Sequence, residues 1–120
     1  MTPAELLRLA SDRRRAATEA WSELLGGGSS CRLDGSLSAH EGAKLREGES
    51  VLLGLVVRQL RAHPGDDVRT SLDAASAAWA RQPVPDRGRD WDAYRRGGDD
   101  ALRDLRAVVS PPGPVPPPTR

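Results

Sequence analysis

Apolar residues recur at helical spacing in four stretches of this chain. In the first, Leu7, Ala10, Arg14, Ala17, Trp21 and Leu24 follow one another at intervals of three and four, which places them on one face of a helix. Thr2 and Glu5 have the spacing of a capping box, and Pro3 falls at the first helical position, where its missing N–H costs nothing. Gly26-Gly27-Gly28 supplies residues that tolerate a left-handed cap, so the pattern predicts a helix over about residues 3–25. Residues 26–37 then read as a flexible connector.

Ser38 and Glu41 form a second capping box, and the helix they open is expected to reach about His63, because Pro64 disfavours helix at the residue before it. Within it, Val51 to Val57 is apolar all round, the mark of a central helix. A buried strand is the competing reading of so short a run. The flanking Ala, Lys, Arg, Glu and Gln favour helix, and the chain offers no second strand to pair with. Gly42, Gly48 and Gly54 each cost such a helix up to about 1 kcal/mol relative to Ala. They mark either a close helix–helix approach or a break near residue 48.

Asp66 or Asp67 is placed to cap a third helix carrying Val68, Leu72, Ala75 and Trp79, which Gln82-Pro83-Val84-Pro85 ends. The fourth is expected over 88–109, with Trp91, Tyr94, Gly98, Leu102, Leu105 and Val109 on one side. Asp92 with Arg96, and Asp99 with Arg103, are spaced to pair on the other side. Gly97-Gly98 in mid-pattern suggests a kink or a frayed turn. The sequence therefore predicts an all-α fold, a small antiparallel four-helix bundle over residues 1–109. Residues 110–120, with six prolines, are expected to form a disordered Pro-rich tail.

Composition narrows the picture. The 120 residues fit one domain, and the apolar 38% is mostly Ala, Leu and Val, with no Phe. So thin a core makes self-association or a bound protein attractive. Arginine supplies all but one of the 18 basic residues, a bias that resembles the codon usage of a GC-rich, actinobacterial-like genome. The formal net charge of +1 argues against general steering toward nucleic acid or an anionic membrane. Cys31 is the lone cysteine, and the charged N-terminus lacks the apolar run of an export signal. The longest apolar stretch, 51–57, is far short of the roughly 20 residues a spanning helix needs. These features predict a cytoplasmic protein with no membrane span.

Signals of chemistry are sparse. Glu19, Glu23, His40, Glu41 and Glu47 supply metal-ligand types, but no Glu-x-x-His pair of the kind bundle metal sites use, so neither metal nor cofactor is expected. Cys31 beside Arg32 lacks a neighbouring base and reads as a loop thiol. The glycine-rich loop lacks the Gly-Lys-Ser/Thr ending of a phosphate cradle. Arg58 and His63, separated by four residues, remain. This Arg-x4-His pair resembles the catalytic signature of HEPN ribonucleases, which are small helical bundles. The resemblance spans six residues and the fold class. It implies that Arg58 and His63 meet, often across a dimer, to polarise a phosphate and help move the 2′-hydroxyl proton without metal. The plain alternative is a solvated arginine and a histidine at the negative end of a helix dipole.

Of the cluster Arg13-Arg14-Arg15, Arg14 falls on the apolar stripe. A buried arginine is costly unless paired, so either a carboxylate or intersubunit partner meets it, or the side chain snorkels to water. The preferred expectation is a non-enzymatic module that binds protein, itself or another chain, through Arg14 and the faces bearing Trp21, Trp79 and Trp91. The ribonuclease using Arg58 and His63 is the alternative.

Overall fold

The computed structural model describes residues 1–26, 36–83 and 88–110. They form four helices: α1 (Pro3–Gly26), α2 (Ser36–Ala62), α3 (Val68–Ala80) and α4 (Arg89–Val109). The all-helical bundle expected from the sequence is present, and residues 51–57 are helix. Cys31, most of the 26–37 connector and the proline-rich tail from residue 111 on lie outside the described residues.

Local chemistry sets the helix ends. The Thr2 N–H donates to Glu5 Oε1 at 2.8 Å and the Glu5 N–H to Thr2 Oγ1 at 3.0 Å, the reciprocal pair of a capping box. The N-cap of α3 is Asp67, whose carboxylate accepts the Thr70 N–H at 2.8 Å. Helix α2 starts at Ser36, two residues before the expected cap at Ser38, within the usual fraying of a helix end.

Helix α2 is the hub. It packs against α1, α4 and α3, whereas α1 makes little contact with either of the others. Leu52, Leu53, Val56, Val57 and Leu60 of α2 are all buried, and each contributes roughly 1.5–3 kcal/mol. Leu6 and Ala10 of α1, Leu72, Ala75 and Trp79 of α3, and Tyr94, Ala101 and Leu105 of α4 complete the core. On α1, Ala10 and Ala17 of the expected stripe are buried, Leu6 beside them is fully buried too, and Leu7 packs at the core's edge.

Glycines explain how closely the helices approach. A Cβ at Gly48 would overlap the Tyr94 carbonyl, and one at Gly97 would overlap the Leu45 carbonyl, so α2 and α4 meet backbone to backbone. A Cβ at Gly98 would overlap the Trp79 indole. Helix α4 therefore runs unbroken through Gly97-Gly98, and α2 through Gly48, because the glycines admit a neighbour and do not interrupt the helix. Asp99 is drawn into the same contact. Its Oδ1 accepts the Trp79 Nε1–H at 2.9 Å, while Arg103 pairs with Asp100 at 2.7 Å. The expected Asp99–Arg103 pair is replaced, since Asp99 serves a nearly buried indole N–H that would otherwise lack an acceptor. Asp92 and Arg96 are both exposed, and no ion pair joins them.

Candidate functional site

Not all of the apolar girdle of α2 is covered. Val51, Gly54 and Leu55 are only half-buried and form the floor of an open groove of about 660 Å³. Its rim carries Arg14 from α1 and Arg58 and Arg61 from α2, and Gln82 closes one end. All three arginines are exposed, and none has an ion-pair partner among the described residues. Among the described residues, no acidic side chain lines this groove. An adjoining hollow of about 400 Å³ shares Arg14, Val57 and Arg61, and adds Arg15 and a single acid, Glu19.

Among the described residues, no carboxylate pairs with Arg14. Its guanidinium lies over Gly54, where a Cβ would stand 3.2 Å from each of Cζ, Nε and Nη2. The missing side chain at residue 54 lets the guanidinium rest flat on α2, with its stem against the helices and its charge in water. Thr18 Oγ1 and Ser50 Oγ, 3.1 Å apart, link α1 and α2 one turn further on.

Other predicted site residues lie elsewhere. Arg58 lines the groove, but His63 is not among its lining residues; it is exposed just past the end of α2, its N–H donating to the Gln59 carbonyl at 3.0 Å. Trp79 is internal, stacked on Tyr94 at a centroid distance of 5.2 Å. Trp91 is half-buried, edge-on to Tyr94 at 5.5 Å, with the Lys44 ammonium 4.1 Å from its ring centroid. The Tyr94 hydroxyl donates to Gln82 Oε1 at 2.6 Å, and burial, with Glu47 nearby, raises its pKa. Trp21 is half-buried outside the main core. The aromatic trio does not converge on one surface, and only Trp21 and Trp91 show part of a ring to the outside.

A different hollow, about 490 Å³ between α1 and α4, carries charges of both signs, Arg13 against Glu49 and Asp104. Among the described residues, no three His, Cys, Asp or Glu side chains gather as a metal would require. No described helix is long and apolar enough to cross a membrane.

Sequence reasoning missed the groove's floor and one of its rim arginines, Arg61. The signal was present: Val51, Leu55, Arg58 and Ala62 follow at helical spacing along α2, so one edge of the apolar run continues directly into arginines.

Fold and site together define an all-helical bundle whose central helix floors an arginine-rimmed groove. No family model, curated protein or solved structure matches the chain.

Proposed function

We propose that the protein is a non-catalytic helical module that works by binding another protein, and that it does so through the groove floored by α2. One observation carries this reading: the most apolar segment of the chain is left half-open, beside three arginines without an ion-pair partner among the described residues. Half-exposed Val51 and Leu55 are surface that a partner can still remove from water, at roughly 25 cal/mol per Å². Unpaired guanidiniums are strong, directional donors awaiting acceptors. The same rim does not favour nucleic acid. Among the described residues, the groove lining includes no aromatic ring on which a base could stack, and three arginines make a small phosphate footprint.

The test is site-specific photo-crosslinking in native lysate, with the crosslinker at Leu55 and, as a control, at Arg96 on the exposed side of α4. Discrete protein adducts from position 55 that vanish in Arg58→Glu support the reading. Equal adducts from both positions, or nucleic acid as the crosslinked species, contradict it.

A further inference from the structure

Resting on that reading of the groove, we infer that its occupant is an amphipathic helix carrying acidic residues one turn apart beside an apolar face. The inference joins the groove's shape, its charge and its lack of backbone edges.

The shape comes from α2. Val51, Leu55, Arg58 and Ala62 run along one strip of the helix, all at the groove. Eleven residues of rise make the strip about 16 Å long, room for three turns of a partner helix. Its first half is apolar and its second half is basic. A complementary ligand therefore carries apolar side chains toward the Val51 end and carboxylates toward the Arg58 end. Arg58 and Arg61 are separated by about 4.5 Å along the axis, which matches carboxylates at i and i+3 or i+4 on a facing helix. Arg14, held over Gly54 from the other wall, reaches the same ligand from the side.

Backbone chemistry selects a helix over an extended segment. An extended peptide brings unpaired N–H and C=O groups that need a sheet edge or equivalent partners. The described residues of this protein form helices, so the groove presents no sheet edge along which an extended peptide could pair. A helical ligand satisfies its own backbone and asks only for apolar contact and charge.

A second copy of this chain is the competing occupant that the test separates: on α4, Asp99 is committed to Trp79 and Asp100 to Arg103, and the core-facing side of the helix is buried, while Asp90, Asp92 and Asp104 make no ion pair among the described residues.

The experiment is selection from a displayed library of randomised helical peptides of about 16 residues, roughly 24 Å of helix, against the full chain. The Arg14→Glu/Arg58→Glu/Arg61→Glu variant serves as counter-target. All three side chains are exposed, and circular dichroism of the variant checks that it keeps its helices. The expected result is enrichment of Asp or Glu at i, i+3 or i, i+4 flanking apolar residues. Binding of a selected peptide should weaken about two- to fivefold for each single Arg→Ala change, the scale of an exposed ion pair, and should fall with added salt. Enrichment without acidic residues, or equal selection by the charge-reversed variant, overturns the inference. So does a single-stranded RNA that displaces the peptide with higher affinity, or a dimer of the chain that the charge reversal dissolves. If crosslinks from position 55 persist while selection yields no acidic pattern, only the occupant's chemistry is wrong. If the crosslinks fail too, the groove reading falls with it.

Discussion

The Arg14 guanidinium rests on Gly54, with three of its atoms 3.2 Å from where a Cβ at that position would stand. Gly54 thus costs α2 helical stability and gives the groove one of its charges. Gly54→Ala separates the two effects. The tip of an exposed arginine shifts easily, so the variant should gain about 0.5–1 kcal/mol in denaturant unfolding from helix propensity. Its affinity for a groove ligand should fall, because Arg14 is pushed from its seat. Unchanged affinity in the stabilised variant would disconnect Gly54 from binding.

Gly48 and Gly42 share a helix but not an environment. A Cβ at Gly48 overlaps the Tyr94 backbone, which cannot yield unless α2 and α4 separate, so Gly48→Ala should cost about 3 kcal/mol or more. A Cβ at Gly42 would sit 3.5 Å from Leu24 Cδ1, an ordinary contact, and Gly42→Ala should be neutral or stabilising. Thermal unfolding of the two variants checks the crossing. Equal effects would mean that the helices do not meet at Gly48.

Ser71 and Asp99 predict opposite signs. Ser71 Oγ is fully buried and has no hydrogen-bond partner among the described residues, so Ser71→Ala should raise stability by about 1 kcal/mol. Asp99→Ala should lower it by about 1–2 kcal/mol, because the Trp79 indole N–H loses its acceptor, and Asp99→Asn should recover part of the loss. Tryptophan fluorescence during unfolding measures both. A destabilised Ser71→Ala would show that the hydroxyl has a partner in solution.

Capping gives a pH signature. Hydrogen bonds from the backbone of Thr2 and Thr70 lower the pKa of Glu5 and Asp67 respectively. A depressed carboxylate pKa contributes stability that is present above the unfolded-state value and is lost as pH falls through the folded-state value. Melting temperature should therefore drop below about pH 5. Asp67→Asn keeps the capping acceptor but does not titrate, so its profile should be flatter in acid. An identical acid profile would remove Asp67 from the account.

Much of this architecture was legible because it rests on local chemistry. The Thr2–Glu5 box, the Asp67 cap and the Pro64 stop each depend on residues within a few positions, and their spacing is visible along the chain. The central place of α2 followed from an apolar run too broad for a one-sided helix. What escaped was nonlocal. Gly97-Gly98 looks like a weak point until Leu45 and Trp79 are seen to press against it, and the Asp99–Arg103 spacing cannot reveal that Trp79 claims the carboxylate. The candidate site was legible in part. Arg14 and Arg58 stood out for other reasons, as a stripe anomaly and half of an Arg-x4-His pair, but only the α1–α2 packing brings them to one groove with Arg61. Trp79 looked available because an apolar helix face does not say whether its own chain will cover it.

The central claim is that the half-open face of α2 binds an acidic helical partner, and amide chemical-shift mapping with a selected acidic peptide tests it most directly. The account predicts that the shifted amides cluster around residues 51–62 of α2 and the Arg14 turn of α1, and that His63→Ala leaves the affinity unchanged while Arg58→Ala weakens it. Shifts centred on the outer face of α4, or on the hollow between α1 and α4, would contradict it.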